Sequence, residues 1–218
     1  MIDLHTHTLF SDGVLLPSEL VYRAKFKGYK AIALTDHVDY STYDYVIPRI
    51  IKVSKILQDN YEILVIPGVE ITYVPPKLIK EIVAECRSCG AEIIVVHGET
   101  VAETVPEQTN HYAVQAGIDI LAHPGHITKE DVMLAKKNNV CLEITTRCGH
   151  NATNKEVAKL ALECGAKMVL NTDTHEPENL MDNDKVKITL VNAGLDFKYF
   201  EIMQKNAFEI IKNLQNKF

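Results

Sequence analysis

Between His5 and Gly13 the chain reads HTHTLFSDG. Two imidazoles stand two residues apart after the short run Ile2-Asp3-Leu4, and a carboxylate, Asp12, follows. In an extended chain residues i and i+2 face the same side. His5 and His7 can therefore point at one ion while Thr6 faces away. The chain then turns through Ser11, Asp12 and Gly13, which places Asp12 within reach of a second ion at the mouth. Gly13 is expected to permit an unusual backbone angle there. The two-apart spacing returns in NTDTH, with Asp173 and His175. Mixed imidazole and carboxylate ligation suits zinc, manganese or iron better than calcium or magnesium alone.

These donors meet only if the intervening elements bring them together. Seven short runs rich in Ile, Val and Leu recur, at 2–5, 31–37, 62–70, 92–99, 119–125, 141–146 and 167–175. They do not alternate cleanly, which is how strands buried on both faces of a parallel sheet read. Helix-like segments separate them. Pro17 opens one that Gly28 closes. Thr128 with Asp131, and Thr153 with Glu156, resemble capping boxes. Further helices are expected near 48–59, 76–89, 107–116 and 178–193, with one or two more after Asp196. Such alternation predicts an α/β fold with right-handed crossovers, as an open doubly wound sheet or a closed barrel. No GxGxxG follows the first run, which argues against dinucleotide binding.

The histidines fall at the ends of these runs: His5 and His7, His37 in TDH, His97, His123 in HPG, and His175. Glu70 ends PGVE, and Asp173 joins the last run. In a parallel α/β fold the C-terminal strand ends converge on one face. Clustering uncompensated imidazoles and acids there costs desolvation energy, and divalent cations supply the compensation. Arg147 should share that face and offers a bidentate fork for phosphate. Glu143 lies inside the sixth run, as a residue orienting a ligand or as barrel core. His126 and His150 stand near the rim as candidate substrate contacts, and His111 on a helix facing solvent. Asp36 precedes His37 and is read either as its orienting partner or as a hydrogen-bonding group at the strand end. No Ser or Cys stands in a nucleophile motif, so covalent catalysis is not expected.

The chain has 218 residues, 46% hydrophobic and 24% charged, long enough for one sizeable core and read as a single domain over 1–218. A net charge of −6 gives no general electrostatic help with nucleic acid, so long nucleic acid is not an expected partner. YSTYDY at 40–45 is aromatic but lacks the cations of a nucleic-acid track, and reads as a packed loop or a lid. No apolar run approaches the roughly 18 residues of a membrane span, and the N-terminus lacks signal-peptide regions. Five cysteines, an odd number, fit reduced thiols in a cytoplasmic protein. Cys86 and Cys89 form a CxxC without a second pair, which disfavours a zinc site.

In order, HTHTLFSDG, TDH, PGVE, His97, HPG and NTDTH resemble the motifs of the PHP (polymerase and histidinol phosphatase) superfamily. The closer likeness is to its small stand-alone, histidinol-phosphatase-like members. The resemblance implies a distorted (β/α)7 barrel with two or three divalent metal ions at the C-terminal strand ends. It assigns one ion to His5, His7, Glu70 and Asp173, and a second to Asp12, His37 and His175. A third takes Glu70, His97 and His123, with Glu70 bridging. It implies a metal-dependent phosphoesterase using a metal-bridged hydroxide, with Arg147, Asp173 and His175 as catalytic candidates. Histidinol phosphatases tend to carry His where Asp12 stands. The Asp version looks more like relatives acting on other phosphoesters, including nucleotides and oligonucleotides. The expected function is a phosphatase on a small phosphorylated metabolite. A phosphodiesterase or exonuclease is the alternative, followed by an amidohydrolase or a non-catalytic metal-stabilised scaffold.

Overall fold

The computed structural model describes residues 1–215. The seven runs form strands β1 (Ile2–Asp3), β2 (Ala31–Leu34), β3 (His37–Val38), β4 (Leu64–Ile71), β5 (Ile93–His97), β6 (Ile120–Ala122), β7 (Cys141–Thr145) and β8 (Met168–Asn171). β2 and β3 are one run interrupted at Thr35 and Asp36. Every ladder is parallel, in the order β1-β2-β4-β5-β6-β7-β8, with β3 also on β4. The helices between them are α1 (Pro17–Phe26), α2 (Tyr43–Asn60), α3 (Ile79–Ser88), α4 (Thr109–Ala113), α5 (Lys129–Lys137), α6 (Asn154–Cys164), α7 (Asn183–Asn192) and α8 (Lys198–Gln215).

The sheet rolls into a (β/α)7-like barrel, which decides between the two architectures left open by pattern. Closure is made just beyond the ends of β1 and β8, where Thr6 bridges Thr174. The His7 amide donates to the Thr174 carbonyl (2.8 Å) and the Asp173 amide to the His5 carbonyl (3.0 Å). Lower in the seam, side chains replace ladder bonds. The Leu4 amide donates to Asn171 Oδ1 (3.0 Å), and the Thr172 hydroxyl to Asp3 Oδ2 (2.6 Å). α8 covers the opposite end of the barrel. Its Gln204 side chain accepts from the Ile2 amide (2.7 Å) and donates to the Ile2 carbonyl (3.0 Å), serving a strand edge that has no ladder partner. Ala207, Ile210, Ile211 and Leu214 pack in one cluster with the inward residues Leu4, Ile66, Ile93, Ile120 and Val169. Outward strand residues such as Leu34, Val69, Val96 and Leu142 join the helices in a second core. Ile211→Ala should cost about 2–5 kcal/mol. It should shift the denaturant midpoint without changing metal bound per folded chain, because the plug lies at the far end from the histidines.

Some helix ends differ from expectation for local reasons. α2 starts at Tyr43, because the Tyr43 and Val46 amides donate to the Asp39 and Thr42 carbonyls and carry the helix back past Pro48. α4 is shorter than expected. α7 starts at Asn183, where Asp182 accepts from the Asp184 and Lys185 amides, and Pro177–Asn179 forms a separate turn. Thr128 caps α5, accepting from the Asp131 amide (3.1 Å). Thr153 makes no cap bond; Glu156 instead accepts from His126 Nδ1 (2.7 Å).

Candidate metal and active site

Parallel strands deliver the motif residues to the closed end of the barrel, and all nine expected ligands meet there. Glu70, at the end of β4, is fully buried at the centre. Its Oε2 lies 3.2 Å from His5 Nε2, 3.4 Å from His7 Nε2 and 2.9 Å from His37 Nδ1. Its Oε1 lies 3.3 Å from His97 Nδ1 and 3.5 Å from His123 Nε2. Asp173 Oδ1 is 3.1 Å from His7 Nε2 and 3.7 Å from His5 Nε2. At the mouth, Asp12 Oδ2 is 3.0 Å from His175 Nε2, and Oδ1 is 3.6 Å from His37 Nε2.

Four overlapping donor groups are close enough to share an ion: His7, Asp12, His37 and His175; His5, His123 and Asp173; His5, His7 and Glu70; and His37, Glu70 and His97. Thus His7 stands with Asp12, His37 and His175; His5 and His7 stand with Glu70; His123 stands with His5 and Asp173; and His37 stands with Glu70 and His97.

Backbone strain marks the same place. His123 (φ 25°) and Asp173 (φ 52°) adopt left-handed conformations that non-glycine residues avoid; such strain clusters at functional sites. Gly13 corrects an expectation, since its φ is not in that region. A Cβ there would lie 2.5 Å from the His7 carbonyl oxygen, so glycine permits close approach of the turn to the ligand strand. Asp36 orients that turn rather than the His37 ring. It accepts from the Thr8 amide (2.7 Å) and the Ser11 hydroxyl (2.9 Å), while His37 Nδ1 meets Thr72 Oγ1 at 2.6 Å.

The donor chemistry fits divalent cations. Among the described residues, the buried side-chain polar atoms without a hydrogen-bond partner are both oxygens of Glu70, both nitrogens of His97, His123 Nδ1, Asp173 Oδ1 and one atom elsewhere, Ser54 Oγ. Neighbouring imidazoles are near Glu70 but not aligned to donate. Buried unsatisfied groups concentrated in one spot call for a partner, and zinc, manganese or iron takes such a donor set. Burial alone would raise the Glu70 and Asp173 carboxyls, but His5 and other imidazoles hold both well below the usual range. Burial works against charge on His5 and His37, yet Glu70 leads the acids that lift His5 well above its ordinary value and His37 to about 9. Burial and the neighbouring His37 push His7 down to about 3.

Of the remaining candidates, Arg147 Nη1 donates to Asn179 Oδ1 (3.0 Å), which also accepts from the His175 amide. The arginine thus lies beside the Asp12–His175 side. His150 is buried, its ring 4.4 Å from that of His123. His126 turns outward to Glu156 and away from the cluster. His111 pairs with Asp131 (2.7 Å). Glu143, fully buried, accepts from His5 Nδ1 (2.8 Å). Glu103 was not singled out in the sequence. It lies 3.5 Å from both His97 Nε2 and His150 Nε2 and accepts from the Tyr73 hydroxyl (3.2 Å). Beside the cluster opens a cleft of about 470 Å³ lined in part by Phe10, Asp12, His37, Asp39, Ser41, Thr42, Tyr73 and Glu103, with no lysine or arginine. The tyrosine-rich stretch contributes Ser41 and Thr42 to it. Among the described residues no helix is long and apolar enough to cross a membrane.

A model of the PHP domain family matches residues 3–156. An uncharacterized protein of Methanocaldococcus jannaschii is 49% identical over 201 residues, covering 91% of this chain and 92% of that protein. A probable phosphatase of Proteus mirabilis is 28% identical over 247 residues, covering 98% and 94%. A chain in the cryo-EM structure of archaeal ribonuclease P with mature tRNA shares the fold, with TM-score 0.76 at 18% identity, covering 99% of this chain and 92% of that one.

Proposed function

This chain belongs to the PHP domain family, and from that premise we propose that it is a metal-dependent phosphoesterase, a phosphatase acting on a small phosphorylated metabolite. The observation that carries this reading is the convergence of nine imidazole and carboxylate side chains around orphaned, buried ligand atoms. His5, His7, Asp12, His37, Glu70, His97, His123, Asp173 and His175 would hold two or three ions. Bound divalent cations supply Lewis acidity, an acidified water and a clamp on phosphoryl oxygens. The chain's own residues add position and charge. Arg147 spends one nitrogen on Asn179; its fork has further donors for phosphoryl oxygens. Asp173 Oδ1, without a hydrogen-bond partner and 3.1 Å from His7 Nε2, would face an ion and carry negative charge into the site. His175 Nε2 meets Asp12 at 3.0 Å, and Asp12 lines the cleft that would receive the alcohol part of an ester.

The acidic cleft supports a small monoester over an oligonucleotide. Asp39 and Glu103 repel additional phosphates, and no lysine or arginine on its wall offsets them. Glu103→Lys should raise turnover of a dinucleotide relative to an aryl phosphate by roughly 1.5- to 5-fold, the range expected of partly exposed charges. The direct experiment is a hydrolysis screen of the manganese- or zinc-loaded chain on histidinol phosphate, nucleoside monophosphates, dinucleotides and an aryl phosphate. Chelator-sensitive turnover of monoesters is the expected result. Turnover of diesters alone would refute the phosphatase reading, and a metal-binding chain inert on every ester would refute both.

A further inference from the structure

Two glutamates are buried completely in the upper barrel, in opposite states. Glu70 has no hydrogen-bond partner on either oxygen. Both oxygens of Glu143 are committed. Oε1 accepts from His5 Nδ1 (2.8 Å) and from Asn171 Nδ2 (2.9 Å), and Oε2 from the His123 backbone amide (3.1 Å). Strand alternation explains the placement: Leu142 and Ile144 of β7 pack outward with the helices, so Cys141, Glu143 and Thr145 face inward. Glu143 thus touches the back of the cluster, with both oxygens engaged in hydrogen bonds.

Its contacts have a directional consequence. A neutral imidazole carries one proton, and the hydrogen bond made by one nitrogen fixes which nitrogen is bare. With the Nδ1 proton drawn to Glu143, His5 presents Nε2 toward Glu70 (3.2 Å) and His7 Nε2 (3.0 Å). The second oxygen holds the amide of His123, whose backbone is strained. We propose that Glu143 is a positioning residue for the metal cluster, fixing the tautomer of His5 and the backbone of His123, ligand candidates on two strands that do not pair. The inference rests on the metal reading of the cluster but not on any choice of substrate.

Glutamine keeps the shape but brings an amide NH2 group where three donors converge. Either His5 must switch its proton to Nε2, or an N–H group goes unpaired. Zinc affinity of Glu143→Gln, measured by chelator competition, should fall about 10- to 100-fold, the range for partners of metal-bound histidines. Glu143→Asp should recover part of it. Asn171→Ala removes a neighbour of Glu143 but leaves the His5 contact, and should change thermal stability with little change in zinc affinity. ¹⁵N–¹H spectra of the zinc-loaded wild type should show His5 protonated at Nδ1, a readout that needs no variant to fold. His5 protonated at Nε2, wild-type zinc affinity in Glu143→Gln, or equal losses in Glu143→Gln and Asn171→Ala would each overturn the role. Absence of zinc uptake by the wild type would overturn the metal reading itself.

Discussion

Glu70→Gln is expected to empty much of the cluster and cut phosphoester turnover by at least about 1,000-fold while the barrel stays folded. Five imidazoles lie within 3.5 Å of this one carboxylate. Glutamine fills the same space but carries no charge, and its amide NH2 turns a donor toward nitrogens that must offer lone pairs. Loss of a partner behind a ligand typically costs 10–100-fold; loss of a ligand shared between ions should cost more. In the metal-free protein, His5 and His37 hold protons largely because of Glu70. Without its charge they can revert to neutral imidazoles, which limits the damage to stability. Metal per chain by elemental analysis, kcat/KM on the best ester, and circular dichroism together test this. Full metal content and activity in the variant would show that Glu70 does not bridge.

Chelation should lower the melting temperature, and by more at alkaline than at neutral pH. A ligand present at 100 times its Kd stabilises by about 2.7 kcal/mol. For a chain of this size about 1 kcal/mol corresponds to 2–4 °C, so each site contributes roughly 5–11 °C. The pH dependence follows from His37, raised to about 9, with His5 and His123 raised in the same direction. A histidine whose folded pKa exceeds its unfolded one gives its full stabilisation below the unfolded value, about 6.5, and loses it as pH rises through the folded value. The metal-free protein should therefore become less stable from pH 6.5 to 9. Metal competes with protons for the same nitrogens, so the loaded protein gains over that interval. Melts with and without chelator at both pH values check the widening gap. A gap that narrows would mean that protons and metal occupy different atoms.

The convergence of the candidate ligands was legible because strand ends in a parallel fold have one destination, which brings histidines at successive ends to the same face. Barrel closure was not, because it depends on backbone pairing of Thr6 with Thr174 and on the Gln204 side chain of α8. Neither leaves a pattern in residue types. His126 and His150 looked equivalent from the sequence. They part because the chain turns outward after Gly125 (φ 61°), pressed against the Glu99 carbonyl, while a short helical turn after Gly149 carries His150 inward to Thr100. Glu103 sits in an irregular loop, where no periodicity says which way a side chain faces. Asp36 was correctly placed near the site, but its partners are the Thr8 and Ser11 groups of the turn below Asp12.

The meeting of Thr6 and Thr174 also sets a timetable for biosynthesis. His5 and His7 are synthesised before Asp173 and His175, with seven further strands, β2 to β8, laid down between them. A chain that stops short of β8 therefore lacks one half of the cluster. On the metal reading, capture of a cation would wait until the barrel is sealed.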